Sequence, residues 1–376
     1  MKQKQFSVEN LCTCLVVILL VVLAVNFYLV LALNKQLEPK PIVVPETPKL
    51  ELYLLQDSSC TQCFNADQIV IALKQQLTGF NFTKEEKLEI SSAKDLITKY
   101  KITKAPALLI KGAIDKLDLP GLTKIEDAIV VQELPPPYLD LSTNNVKGLV
   151  NVKLVYDKNC NECTDARLIL TQLQQSVGVV FSSKQEYEFN TKEAKELVNN
   201  YNIKSLPVLI FDSEALTYEP IQTVAKSLGS QEDDGSIVIR KMPPPYFDLA
   251  TKKVKGLVTA TLLVDDSCNE CYDVSKVVKL LSSSMGMKAS EKTVKTSSTE
   301  GKKLLSDYNI TQVPTFIFSN DAVVYDQMQA WNQVGMILKD GSYLFTNMQL
   351  LQGAVEKVTY KDLTTNKVVT LESQEE

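Results

Sequence analysis

Not one of the 376 residues is a histidine. That absence removes the Ser-His and Cys-His nucleophile pairs and most catalytic zinc sites. No glycine-rich phosphate loop occurs either, so no nucleotide cofactor is indicated. Basic blocks are missing: lysines alternate with acids, the net charge is −5 and the pI is about 5.2. This balance argues against nucleic acid as a partner. Arginine is confined to Arg167 and Arg240, which says nothing about mechanism. The single tryptophan, Trp331, reads as a packing residue. Apolar side chains are plentiful, 45% against 23% charged, enough to build cores in a chain whose length suits two to four domains.

Residues 11–33 are almost wholly apolar, with Asn26 the one strongly polar side chain. As a helix the run rises about 34 Å, enough to cross the hydrocarbon of a bilayer. A cleaved signal peptide would have a shorter apolar stretch of about 7–15 residues and a small-residue cleavage site. Here Leu33-Asn-Lys-Gln-Leu37 follows instead, so an uncleaved transmembrane helix is the expectation. Lys2 and Lys4 precede the run and Lys35 and Lys40 follow it, a near tie under the positive-inside rule. The short basic tail, residues 1–10, reads as cytoplasmic. That makes the chain a single-pass membrane protein whose C-terminal domains are extracytoplasmic. Pro39, Pro41, Pro45 and Pro48 make residues 34–48 a stiff spacer.

Cysteine is the other conspicuous element, eight residues in four close pairs. Cys12 and Cys14 lie in the apolar run and read as small helix residues, with lipidation as the alternative. The remaining pairs belong to an internal repeat. Cys60-Thr-Gln-Cys63 recurs as Cys160-Asn-Glu-Cys163 and Cys268-Asn-Glu-Cys271. A proline follows each first cysteine by 46 or 47 residues and ends a Tyr-x-Ile-x-x-x-Pro string: Tyr100 to Pro106, Tyr201 to Pro207 and Tyr308 to Pro314. A further marker is Tyr138-Leu-Asp-Leu, matched by Tyr246-Phe-Asp-Leu and more loosely by Tyr360-Lys-Asp-Leu; the first two follow triple prolines at 135–137 and 243–245. Three domains follow, at 49–145, 146–253 and 254–370.

Periodicity within a copy reads as strand, helix, strand, helix, strand, an α/β pattern. In the second copy the expected elements are strand Leu149–Tyr156, a helix across Cys160–Gln175, a short strand Tyr187–Phe189, a helix Lys192–Tyr201 and strand Val208–Phe211. The other copies start from Leu50–Gln56 and Leu257–Val264. Copies two and three share Tyr218 and Tyr325, 11 residues after the proline, then a helical insertion and Asp-Gly turns at Asp234-Gly235 and Asp340-Gly341. The first copy is shorter there, with Ile129–Val131 as the matching strand. The Tyr-x-Asp-Leu piece and the Val-Lys-Gly-Leu-Val run that follows look like a hairpin joining one domain to the next in a fixed orientation.

Strand, Cys-x-x-Cys, helix, then Tyr-x-Ile-x-x-x-Pro before another strand resembles the thioredoxin superfamily, three times over from residue 49 to 365. The resemblance implies an α/β fold class of three tandem thioredoxin-like domains, each a central mixed sheet flanked by helices. It implies that Pro106, Pro207 and Pro314 are cis. The turns Ala105-Pro106, Leu206-Pro207 and Val313-Pro314 would then lie beside the cysteines and present backbone to an extended substrate. Cys60, Cys160 and Cys268, at or just before a helix start where the dipole favours thiolate, become the candidate nucleophiles. Cys63, Cys163 and Cys271 would resolve the mixed disulfide. The chain departs from the family pattern in three places. Asp57, Asp157 and Asp265 stand three positions before the first cysteine, where no tryptophan occurs nearby. Leu54, Leu154 and Leu262 replace the proton-relay acid of thioredoxins. Glu162 and Glu270 disfavour a neighbouring thiolate.

The implied activity is thiol–disulfide exchange on exported proteins, or electron relay, with no cofactor beyond the cysteines. Implied partners are exported proteins with thiols or disulfides, a membrane redox partner and, through residues 11–33, the lipid bilayer. Two other readings stand beside it. The pairs are structural disulfides in a non-catalytic scaffold, although so short a closure gains little chain entropy. Alternatively they bind metal: a two-thiolate site suits copper(I), and a four-cysteine site needs two domains to face each other. Asn81-Phe-Thr83 and Asn309-Ile-Thr311 match the glycosylation acceptor pattern, a match common by chance.

Overall fold

Three runs rich in leucine and valine become interior strands of three sheets: β1 (Lys49–Gln56), β9 (Leu149–Tyr156) and β17 (Leu257–Val264). The computed structural model describes residues 20–32, 47–117, 122–352 and 357–371. The tail 1–10, Cys12, Cys14, residues 11–19 and 33 of the apolar run, and the spacer up to residue 46 lie outside the described residues. Residues 20–32 form a helix, α1, exposed throughout. Among the described residues no helix is long and apolar enough to cross a membrane.

In the first domain, α2 (Asp67–Gln76) carries the chain from β1 to β2 (Asn81–Glu89), which lies parallel to β1. Then come α3 (Lys94–Lys99), β3 (Lys104–Ala105), Pro106, β4 (Ala107–Gly112), β5 (Thr123–Ile125) and β6 (Ala128–Val131). β4 pairs antiparallel with β1 and with β6, giving the order β2-β1-β4-β6-β5. A second, three-stranded sheet joins β3 to a hairpin of β7 (Tyr138–Asp140) and β8 (Asn145–Lys147).

The second domain repeats this with α4 (Ala166–Gln172), β10 (Val180–Glu188), α5 (Lys192–Asn200), β11 (Ser205–Leu206), β12 (Val208–Phe211), α6 (Glu219–Leu228), β13 (Gly229–Gln231) and β14 (Ile237–Ile239), then the hairpin β15 (Tyr246–Asp248) and β16 (Lys253–Lys255). The third has α7 (Val274–Ser284), β18 (Lys288–Lys295), α8 (Thr299–Tyr308), β19 (Gln312–Val313), β20 (Thr315–Phe318), β21 (Gly335–Ile337), β22 (Tyr343–Phe345), and the hairpin β23 (Val358–Asp362) and β24 (Lys367–Leu371). Strand orders β10-β9-β12-β14-β13 and β18-β17-β20-β22-β21 match the first sheet.

In each five-stranded sheet the inner strands are buried on both faces, as neighbours on both sides and helices above and below require. In the second domain Val150, Val152, Leu154 and Phe211 pack with α4 and α6, while Val155, Val208 and Ile210 face α5. Aromatic packing dominates the third core. Phe316 and Phe345 stack at 5.0 Å, and Trp331 lies 5.8–6.4 Å from Phe316, Phe318, Tyr343 and Phe345, only 3% exposed. Trp331 belongs to a 3-10 segment, Asp326–Gln333, that replaces α6. The short strand expected at Tyr187–Phe189 is the end of a nine-residue edge strand, β10, which stops at Glu188. Its residues pair on one side only, and the polar stretch from Ser182 to Glu186 carries no buried face to betray it.

The joints between domains are bonded. A single glycine separates β8 from β9 and β16 from β17. Gly148 and Gly256 share φ +87°, and a Cβ there would lie 2.5 Å from Pro136 Cβ and 2.6 Å from Pro244 Cβ, so only glycine fits against the triple prolines. The Tyr218 hydroxyl donates to the Gly148 carbonyl (2.8 Å) and accepts from the Val180 amide (3.0 Å). Tyr325 does the same with Gly256 (2.8 Å) and Lys288 (3.2 Å). Leu117 holds this place in the first domain.

Candidate functional site

The residue after β1, β9 and β17 is in each case an aspartate that shapes the next turn. Asp57 Oδ1 accepts the Ser59 amide (2.9 Å) and hydroxyl (2.6 Å), Asp157 the Asn159 amide (2.9 Å), and Asp265 the Ser267 amide (2.8 Å) and hydroxyl (2.6 Å). Such Asx turns mimic a backbone turn. Their main-chain carbonyls then take the amides of Cys60, Cys160 and Cys268, all at 3.1 Å. The cysteines pair as disulfides Cys60–Cys63, Cys160–Cys163 and Cys268–Cys271. All six are half-buried, while the two residues between each pair are exposed.

One expectation is corrected. The first cysteine does not stand at a helix start: α2, α4 and α7 begin at Asp67, Ala166 and Val274, six or seven residues later. The cause is an Asx residue two positions after each second cysteine, the N-cap itself in Asp165 and Asp273 and one residue ahead of the Ala66 N-cap in Asn65. Asn65 Oδ1 accepts the Asp67 amide (2.9 Å), Asp165 the Arg167 amide (3.0 Å) and Asp273 the Ser275 and Lys276 amides (3.0 and 3.4 Å). Asx residues at this spacing were the available signal. The positive helix end thus serves these oxygens and not the first sulfur. For the same reason the helix expected across Cys160–Gln175 starts only at Ala166.

The residues before the cis prolines are accounted for as well. Ala105-Pro106, Leu206-Pro207 and Val313-Pro314 are all cis. Pro106 shares a cavity of about 290 Å³ with Cys60 and Cys63, and Pro207 another of about 290 Å³ with Cys160 and Cys163. In the third domain Cys271 Sγ lies 3.8 Å from the Val313 carbonyl. Cysteines and prolines, over 40 residues apart in sequence, therefore meet at each site.

The main-chain edge ahead of each proline is occupied by the chain itself. Ala105 pairs with Leu139, Leu206 with Phe247 and Val313 with Lys361, all antiparallel. The Leu141 amide donates to Thr103 (2.9 Å), Leu249 to Lys204 (2.9 Å) and Leu363 to Thr311 (2.7 Å). By the alternation of an antiparallel ladder, the positions two residues on are again hydrogen-bonded pairs. Ala105, Leu206 and Val313 are accordingly 0–1% exposed. The connections flanking the hairpins also hold the cysteine loops: the Phe64 amide donates to Pro137 (2.7 Å), Thr164 to Pro245 (2.8 Å), and Tyr272 to Thr359 of β23 (2.9 Å). The Tyr-x-Asp-Leu marker was visible in the sequence, but not this role.

Charge differs from site to site. Beside Cys60, Lys87 on the edge strand pairs with Asp67 on the helix (2.7 Å). Beside Cys160 the polarity reverses: Arg167 on the helix grips Glu186 on the strand (2.6 and 3.0 Å) and stacks over Tyr156 at 4.7 Å. In the third domain Lys361 reaches Asp265 Oδ2 (3.1 Å) and Ser267 Oγ (2.7 Å), with both charged side chains 14% exposed. Burial alone would raise the Asp265 carboxyl, yet the Ser267 hydroxyl and amide and the Lys361 ammonium hold it at about 2. Tyr272, pushed well above the ordinary phenol range by burial, donates its hydroxyl to the Pro314 carbonyl (2.7 Å). Leu54, Leu154 and Leu262 are buried behind the loops. Among the described residues no cluster of three or more cysteine or carboxylate side chains is placed to hold a metal.

No family model matches the chain, and no curated protein does. Among solved structures it is similar to the NTD_N/C domain of alkylhydroperoxide reductase AhpF from Enterococcus faecalis, at 15% identity over 44% of this chain and 83% of that one, TM-score 0.15. It is similar to ERdj5 at 11% identity over 72% of this chain and 37% of that one, TM-score 0.15. For human ERp44 the identity is 12%, over 82% and 80%, TM-score 0.16. The chain spans little more than a third of the ERdj5 structure. Strand order, a Cys-x-x-Cys after the first strand, and a cis proline before its antiparallel neighbour make the three units tandem thioredoxin-like domains. Each carries the dithiol/disulfide chemistry that thiol–disulfide exchange needs.

Proposed function

We propose that the chain is a membrane-anchored, extracytoplasmic thiol–disulfide oxidoreductase acting on exported proteins. The observation that carries this reading is the triple recurrence of a half-exposed Cys-x-x-Cys disulfide in contact with a cis-proline turn. In the reducing direction the thiolate of Cys60, Cys160 or Cys268 attacks a substrate disulfide. That S–S bond breaks, one substrate sulfur leaves as thiolate, and a mixed disulfide forms. The thiolate of Cys63, Cys163 or Cys271 then attacks the enzyme sulfur and expels the second substrate thiolate. Two electrons and two protons pass to the substrate, and the new enzyme disulfide needs a dithiol to recharge it. A membrane redox partner would supply that dithiol, and the reverse sequence would oxidise client thiols. An exported location suits three disulfides.

The anchor is assigned to residues 11–33. In its support, the described part exposes Leu20, Val21, Val22, Leu23, Val25 and Phe27 at 52–68%, contiguous apolar surface that calls for a lipid or protein cover.

A second reading is favoured by one observation, the covered edge at Ala105, Leu206 and Val313. A client that pairs main chain to main chain would have to displace the hairpin, so a non-catalytic scaffold with locked disulfides competes with the first reading. A glutathione redox titration of the full chain in detergent, each pair read by alkylation and mass spectrometry, separates the two. Midpoints between about −120 and −280 mV, the range of exchange enzymes, are expected. Pairs still oxidised below about −300 mV would remove the catalytic reading.

A further inference from the structure

The second and third domains carry the same tetrapeptide, Cys160-Asn-Glu-Cys163 and Cys268-Asn-Glu-Cys271, yet the two glutamates are treated differently. Lys288 of the third domain reaches back across the joint. Its Nζ donates to the Glu162 carbonyl at 2.8 Å and lies 3.8 Å from the Glu162 carboxylate. Among the described residues Glu270 has no hydrogen-bond or ion-pair partner.

The backbone of Lys288 is well held. It opens β18 opposite Leu257 of β17, and its amide donates to the Tyr325 hydroxyl (3.2 Å), which in turn donates to the hinge carbonyl of Gly256 (2.8 Å). The base of the Lys288 side chain is thus fixed at the joint. Among the described residues the corresponding joint between the first and second domains has no such pair. Val180 opens β10 opposite Leu149 and bonds to Tyr218 in the same way, while the first domain's loop contains the uncharged Thr61-Gln62.

We propose that Lys288 is a positioning residue for the second redox site: it clamps the loop between Cys160 and Cys163 and offsets the charge of Glu162. The Cys160 thiolate is thereby favoured over the Cys268 thiolate, although the motifs are identical. The inference rests on the thiol-exchange reading for its purpose. Its physical content, a lysine from one domain holding the loop between its neighbour's two cysteines, stands on the geometry. One consequence is that the two sites differ in nucleophilicity, and that the second depends on the third domain being docked.

The test uses the full chain in detergent after chemical reduction, with iodoacetamide alkylation of Cys160 and Cys268 followed by mass spectrometry from pH 5 to 10. An exposed charge about 5–10 Å from a sulfur is worth about 0.3–0.6 of a pH unit, or about a two- to fourfold rate on the acid side. Lys288→Met is expected to slow Cys160 by that factor and leave Cys268 unmoved. Lys288→Arg, or Glu162→Gln in the Lys288→Met background, restores the Cys160 profile. The difference shrinks in 1 M salt, where the Debye length is about 3 Å, as a purely steric role would not. A Cys160 profile unchanged by Lys288→Met, or an equal shift at Cys268, overturns the proposal. Alkylation reads thiolates whether or not the pairs exchange with glutathione, so its failure is distinct from failure in the redox titration.

Discussion

The ion pair behind Cys268 predicts a pH-dependent stability that can be read in one domain alone. Asp265 has its carboxyl held at about 2 against an ordinary 3.8. A carboxyl pKa lowered by folding contributes stability in full above about pH 4, and that contribution disappears as pH falls toward 2. The difference of somewhat under two units is worth about 2 kcal/mol, and solvent screening trims it to about 1–2 kcal/mol. Lys361→Met removes the ammonium's share, about 1 kcal/mol, and lowers the urea midpoint by roughly 0.5–1 M. Because Trp331 is the only tryptophan and sits in the third core, its fluorescence follows that domain without the other two. Wild type and variant should differ most at pH 7 and converge between pH 4 and 2. Parallel curves down to pH 2 would falsify the assignment, since the gap would then owe nothing to the Asp265 charge.

Two further outcomes follow from the joints and the anchor. Tyr218→Phe deletes the buried hydroxyl shared by Gly148 and Val180 at a cost of about 1–3 kcal/mol; the Val180 amide should lose about tenfold or more of its hydrogen-exchange protection, and unchanged protection would mean that the joint does not depend on this bond. If residues 11–33 anchor the chain with its domains outside, a membrane-impermeant maleimide should label the reduced cysteines in intact cells, whereas labelling only after lysis would reverse the orientation.

Much of this architecture was legible in the residues. Leu149–Tyr156, Val208–Phe211 and Leu257–Val264 read directly as strands because each is an apolar run buried between neighbours. Repetition of the cysteines and prolines at constant spacing located three sites, and the structure brings each pair together. Helical spacing runs back toward the cysteines, whereas Asn65, Asp165 and Asp273 bond the amides that open the helices and so place the start further along. β10 has no buried face, so only its last residues carry a strand pattern. The hairpin pairing at Ala105, Leu206 and Val313 and the reach of Lys288 to Glu162 join residues 34 to 126 positions apart. Contacts at that separation leave no local pattern to read.

The single glycine between the hairpins and the strands β9 and β17 has a consequence for modularity. A repeat can be counted in this sequence, but it cannot be lifted out. Boundaries placed at 145/146 and 253/254 fall inside β8 and β16. A cut there strands half a hairpin on each fragment. A cut before the hairpin strips the upstream domain of the strand that covers its proline edge, and a cut after it deprives the downstream domain of the lead-in that Tyr218 or Tyr325 fastens. Graft or truncation experiments should therefore move a domain together with the hairpins at both of its ends, since the unit that repeats and the unit that holds together are offset by one hairpin.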